Sequence, residues 1–198
     1  MRAARRPSDC SACRGAEPLA AAPPPPGVPR PLPYLEGYPE PLVEQARALL
    51  DAGRLEAVVL ERHPQAHTIR SERALQEYVA DLKARHLRTA PPVAKVAWDP
   101  RMLAVASTLG THTAISRVQG GRLKAKREIR IASLLQEAPA DFLRTLVVHE
   151  LAHLREREHD RAFYALCEHM EPDYHQWEFD LRLWLTARDA RSKRRPAG

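Results

Sequence analysis

The sequence predicts an α+β fold, and three observations along its 198 residues support that prediction. Residues 41–87 place apolar side chains at helical spacing, which predicts a small helical layer. Residues 93–131 divide into short β-like runs, which predict a small antiparallel sheet. A strongly apolar helix with one polar edge follows, with Asp141 as its expected N-cap, and we expect the sheet to pack on this helix.

The helical layer is predicted from three segments. Apolar residues recur at helical spacing over residues 42–50, and Gly53 ends that helix because glycine accepts the left-handed backbone of a C-terminal cap. A second short helix is expected over residues 55–60. Ser71 is the predicted N-cap of a third helix that runs to about Leu87.

Four β-like runs follow, at residues 93–98, 102–109, 111–118 and 123–131. The last run alternates apolar and charged residues, so one of its faces is expected to be buried. Arg127 is the one charged residue on the apolar face. The run belongs to a basic stretch, residues 117–130, in which six Lys and Arg residues outnumber a single Glu. This stretch is either a solvated strand edge or a surface that attracts an acidic or phosphorylated substrate.

Composition divides the chain into four parts. Residues 1–40 are rich in Arg and Pro and are predicted to be a disordered N-terminal extension. Residues 41–90 form the helical layer, residues 91–186 the core that carries the site, and residues 187–198 a basic, frayed tail.

Composition also excludes several classes of protein. The sequence has no run of 18 apolar residues, so no membrane span is expected, and its start lacks the apolar segment of a secretory signal. Three cysteines make no disulfide framework, which favours a cytoplasmic location. The formal net charge is +6, but residues 1–30 contribute +3 and residues 187–198 contribute +4, which leaves −1 for the body. Nucleic-acid association therefore has little support.

The main chemical signal is an H-E-x-x-H pattern formed by His149, Glu150 and His153. On a helix, the two histidines lie one turn apart on the same face and can bind one metal ion. Glu150 is then placed to act as the general base towards water activated by zinc. The pattern predicts a hydrolytic Zn²⁺ site.

A catalytic zinc site usually takes three protein ligands, and His159 is the preferred third ligand. An uninterrupted helix would carry His159 about 9 Å beyond His153 along its axis. The chain must therefore turn, and Asp160 is a suitable N-cap for the next helix, with the break expected around residues 157–159. The alternatives for the third ligand remain open: Glu156, Glu158, His169 and Glu171. Four candidates also remain for the group that stabilises the oxyanion: Tyr174, His175, His112 and Arg117.

The segment HELAHLREREHDRAFYALCEHMEPDY, preceded by the strand ending IRIASLL, resembles the YgjP-like metallopeptidases, which are related to the WLM and SprT-like zincins. The resemblance implies a compact zincin-like domain in which a small sheet precedes the active-site helix. It also implies that His149, His153 and His159 bind zinc and that Glu150 is the catalytic base. Metzincins share the histidine spacing, but their pattern has Gly where this chain has Glu156.

Three functions are compatible with the sequence. The first is a zinc metallopeptidase acting on a peptide or protein. The second is a metal-dependent hydrolase of a small phosphorylated substrate such as a nucleotide, which the basic stretch favours. The third is a non-catalytic module with structural zinc, and the unliganded Glu150 argues against it.

Overall fold

The computed structural model describes residues 31–102, 110–119 and 122–194. The α+β prediction is confirmed: this part of the chain forms six α-helices, three β-strands and two short 3-10 helices. The helices are α1 (Glu40–Asp51), α2 (Leu55–Arg62), α3 (Glu72–His86), α4 (Ala140–Ala152), α5 (Arg161–Met170) and α6 (Tyr174–Arg194). The strands are β1 (Val93–Asp99), β2 (Gly110–Gln119) and β3 (Arg122–Ala132), and the 3-10 helices are Pro33–Leu35 and Ser133–Glu137.

The first three helices follow the predicted signals closely. Gly53 has the positive φ of 69° that a left-handed cap after α1 requires. The Ser71 hydroxyl accepts a hydrogen bond from the Ala74 amide at 3.1 Å, which caps α3. The apolar stripe of α3, which includes Leu75 and Leu82, is fully buried and packs against β1 and α4.

The prediction of an antiparallel sheet was wrong. The strand order is β1-β3-β2, and β1 pairs with β3 in parallel from Val93 opposite Arg127 to Asp99 opposite Ala132. The pair β2–β3 is antiparallel, so the sheet is mixed. The chain crosses over between β1 and β2, which a pattern of successive short strands does not indicate. Of the β-like run predicted at residues 102–109, residues 103–109 lie outside the described residues.

The sheet covers one side of α4, and most residues of this helix are buried. Ile129 and Ile131 of β3 are fully buried, and α4 contacts β2, β3 and α6. The helix begins at Ala140 after Pro139, so the prediction of Asp141 as its N-cap was wrong. Asp141 lies in the first turn of α4, and its carboxylate instead contacts a ring nitrogen of His63 at 2.7 Å.

The described residues include segments at both ends that composition assigns to a disordered extension and a frayed tail. Tyr34 and Leu35 are buried against the rest of the protein, so residues 32–40 do not belong to a disordered extension, while residues 1–30 lie outside the described residues. Helix α6 runs on to Arg194, past the predicted start of a frayed tail, and Arg191 contacts Glu56 at 2.8 Å. The remaining domain boundaries stay predictions.

No helix among the described residues is both long and apolar enough to cross a membrane.

Candidate metal centre

Three histidines converge at the C-terminal end of α4. The Nε2 atom of His149 lies 3.3 Å from the Nε2 of His153 and 3.1 Å from the Nε2 of His159. The three nitrogens lie within 4.8 Å of one another, and they are the one group of potential metal ligands found among the described residues. The structure therefore brings together the three histidines that the sequence singled out.

These separations fit a metal ion with tetrahedral ligands. Zinc–nitrogen bonds of 2.0–2.1 Å in a tetrahedral site place neighbouring nitrogens about 3.4 Å apart. Burial, together with the charges of the two neighbouring histidines, lowers the pKa of His149 to about 3, and burial lowers the pKa of His153. Neutral imidazoles present their lone pairs to a metal, so His149 and His153 are suited to hold one.

His159 reaches the cluster because the chain turns immediately after the motif. Helix α4 ends at Ala152, earlier than the break expected at residues 157–159. The Asp160 carboxylate then accepts hydrogen bonds from the amides of Ala162 and Phe163 and starts α5, as predicted. His159 precedes this cap directly, so the cap fixes the position from which its ring returns to α4.

The competing third ligands point elsewhere. The Glu171 carboxylate is paired with Arg144, and the ring of His169 lies against the ring of His86 at 6.0 Å. Neither glutamate of the turn, Glu156 or Glu158, belongs to the group of converging side chains. The backbone of Glu156 nevertheless takes part, because its carbonyl oxygen accepts a hydrogen bond from Nδ1 of His153 at 3.0 Å.

A buried tyrosine fixes the ring of His149 from the other side. The hydroxyl of Tyr174 lies 2.8 Å from Nδ1 of His149, and Tyr174 is fully buried at the start of α6. Because Nδ1 and Nε2 lie on different edges of the imidazole, Tyr174 is behind the ligand and does not face the reacting atoms. Its candidacy as an oxyanion stabiliser was therefore wrong.

The remaining oxyanion candidates are not settled by the described residues. His175 is exposed and its ring nitrogen lies 3.1 Å from the carboxylate of Glu168. The side chains of His112 and Arg117 lie outside what the structure describes.

One aromatic ring packs against all three histidines. The ring centre of Phe163 lies 4.9 Å from that of His149 and 4.7 Å from those of His153 and His159. Phe163 is fully buried in α5, so it limits the rotation of the imidazoles and excludes water from their inner side.

Glu150 lies in an apolar environment beside the cluster. Its side chain is buried, and Oε2 has no hydrogen-bond partner among the described residues. Burial raises the pKa of this carboxyl to about 8. A cation at the histidines would favour its ionised form, in which it can accept a proton from water.

Comparison with known proteins gives two matches. The model of the family described as "YgjP-like, metallopeptidase domain" matches residues 47–183, which include the whole histidine cluster. A protein of Escherichia coli (strain K12) named "UTP pyrophosphatase" is 56% identical over 155 residues, which cover 78% of this chain and 93% of the relative. No solved structure matches the chain significantly.

Proposed function

Because the chain belongs to the YgjP-like metallopeptidase-domain family and is a metal-dependent hydrolase, we propose that its metal is zinc and its substrate UTP. The proposed reaction releases pyrophosphate and leaves UMP. The observation that carries the proposal is the 56% identity to a protein named UTP pyrophosphatase, across 93% of that protein. Identity of this extent over nearly a whole chain favours a shared substrate over a shared fold alone.

The roles of the site residues follow from their positions. His149, His153 and His159 would hold the zinc, which, when bound, lowers the pKa of water and polarises a phosphoryl oxygen. Glu150 takes a proton from the attacking water, whose oxygen bonds to the α-phosphorus. The bond from that phosphorus to the bridging oxygen breaks, and pyrophosphate leaves with the electron pair. Tyr174 and the Glu156 carbonyl hold two of the imidazoles in the required tautomer.

Peptide hydrolysis is the second candidate, and the family's description favours it. The same H-E-x-x-H arrangement cleaves peptide bonds in metallopeptidases, with the glutamate returning the proton to the leaving amine. We rank it second because the curated relative is named for a nucleotide. A cytoplasmic location remains a prediction from the sequence.

The test compares substrates on one zinc-loaded preparation. UTP, CTP, ATP and an unstructured protein such as casein are incubated with the wild type, and pyrophosphate and new amino termini are measured. The Glu150→Gln variant is the blank, because it retains the three histidines and removes the base. The proposal is supported if the wild type releases pyrophosphate from UTP and the Glu150→Gln variant does not. Cleavage of casein with UTP left intact would replace it by the peptidase.

A further inference from the structure

Arg127 interrupts the apolar inner face of β3. Ile129 and Ile131 are fully buried on that face, and the alternation of a strand places Arg127 on it too. Arg127 is half-buried, and in the part of the chain that the structure describes no hydrogen bond or ion pair engages its guanidinium. Its register partners are Val93 and Ala114, and neither can neutralise a positive charge.

The topology places Arg127 at the end of the sheet nearest the histidines. Arg155, two residues after His153, donates a hydrogen bond to the Thr89 hydroxyl, just before the start of β1. The first residue of β1, Val93, pairs with Arg127. The opposite end of β3 leads through the 3-10 helix Ser133–Glu137 into the start of α4.

Element lengths agree with this placement. At about 3.3 Å per residue, Arg127 lies about 17 Å along β3 from its end at Ala132. At 1.5 Å per residue, His149 lies about 14 Å along α4 from Ala140. Since a short connection, residues 133–139, leads from the end of β3 to the start of α4 and the two elements are in contact, the arginine and the metal cluster lie towards the same end of the sheet.

The cationic stretch adds a positive field but no shared face, because the alternation of β3 places its other Lys and Arg residues on the face opposite Arg127. Residues 117–130 contain five further Lys and Arg residues, and Glu128 is their one acidic residue. The Glu128 carboxylate is already paired with Arg130 at 3.1 Å and lies 3.9 Å from Lys95. The hairpin of β2 and β3 extends past the start of β1, so this cationic stretch continues beyond the histidine end of the sheet.

We infer that Arg127 binds the β- and γ-phosphates of the nucleotide, the part that leaves as pyrophosphate. The inference rests on the proposed function and assigns the residue that selects a phosphorylated substrate. The guanidinium matches two phosphate oxygens with a pair of parallel hydrogen bonds and stays charged throughout. Arg127 transfers no proton; it binds the same two phosphates in UTP before the α-phosphorus bond breaks and in pyrophosphate afterwards.

The test is steady-state hydrolysis of UTP by full-length Arg127→Gln, with pyrophosphate as a competitive inhibitor. We expect KM for UTP and Ki for pyrophosphate to rise about 10-fold to 100-fold, because a charge-assisted pair of hydrogen bonds is lost. Zinc content, measured by elemental analysis, should equal that of the wild type. Arg127→Lys keeps the positive charge but cannot donate two parallel hydrogen bonds, so it should show a smaller rise in KM and in Ki.

Lys95→Gln is the matched control. Lys95 is exposed on the neighbouring strand and pairs in register with Glu128, so the variant removes one positive charge from the same end of the sheet without touching its inner face. Unchanged KM and Ki in Lys95→Gln beside raised values in Arg127→Gln support the inference. If Arg127→Gln does not fold, the KM and Ki of Arg127→Lys decide: raised values support the inference, and wild-type values contradict it.

Two results separate the inference from the proposed function. If the wild type cleaves UTP and both Arg127 variants keep its KM and its Ki for pyrophosphate, the inference is wrong and the proposed function stands. If the zinc-loaded wild type leaves UTP intact, the proposed function is wrong, and the inference falls with it.

Discussion

Replacing Tyr174 by Phe should weaken the binding of zinc, although the substitution leaves the three histidine ligands in place. For Nε2 of His149 to face the metal, Nδ1 must carry the proton and donate it to the Tyr174 hydroxyl 2.8 Å away. Tyr174 is fully buried, so water cannot take the place of the lost hydroxyl. The phenyl ring fills the same space, which limits the change to the hydrogen bond.

The magnitude follows from the unpaired donor. A buried N–H without a partner costs about 1–3 kcal/mol. The metal-bound state bears this cost in full because its tautomer is fixed, whereas metal-free His149 can move its proton to Nε2 and leave at Nδ1 only an unpaired lone pair. Zinc should therefore bind about 10-fold to 100-fold more weakly, while the melting temperature of the metal-free protein changes little.

The assay is competition for zinc with a chelator of known affinity at pH 7. Tyr164→Phe is the control, because Tyr164 is half-buried in α5 and its ring lies 6.5 Å from that of His159. The control should bind zinc as tightly as the wild type. Equal affinity of Tyr174→Phe, Tyr164→Phe and the wild type would refute the reasoning that the Tyr174 hydroxyl holds His149 in place.

Three further predictions concern other residues. Glu150→Gln should lower turnover by about 100-fold to 10,000-fold while zinc stoichiometry stays at the wild-type value, and turnover near the wild-type rate would contradict its role as base. Asp180→Asn should lower the free energy of unfolding by about 3–5 kcal/mol, because the buried Asp180 carboxylate lies 3.0 Å from a ring nitrogen of the buried His63. Denaturant titration measures this, and Asp189→Asn, which removes a more exposed ion pair with Lys193 on the same helix, should cost less than about 1 kcal/mol. Burial raises the pKa of the Cys167 thiol to about 12, so mass spectrometry should find this residue unlabelled by iodoacetamide at pH 8 in the native protein and labelled in denaturant. Equal labelling in both states would show that the thiol is accessible.

The sequence predicted the parts of the site that depend on local geometry. The spacing of His149 and His153 places both on one helix face whatever surrounds it. The position of His159 follows from the Asp160 cap, which the structure contains. These features need only neighbouring residues, so one sequence suffices to find them.

Features that depend on distant contacts were missed. Asp141 has the sequence signature of an N-cap, yet its carboxylate contacts His63, which lies 78 residues earlier. Tyr174 was singled out as a catalytic candidate, but the packing of α6 on α4 places its hydroxyl behind His149. The parallel pairing of β1 with β3 likewise depends on where the chain crosses over. Periodicity reports which face of a segment is buried but not which partner buries it.

All the groups that fix the three imidazoles come from one short segment of the chain, residues 149–174. Joining points so close in sequence has a small entropic cost, since the cost of closing a loop rises with the number of residues it contains. The metal centre can therefore assemble early during folding, before the distant strands have paired. Because the first half of the chain contributes none of these groups, we expect a short insertion in one of its exposed loops to leave the ligand geometry unchanged.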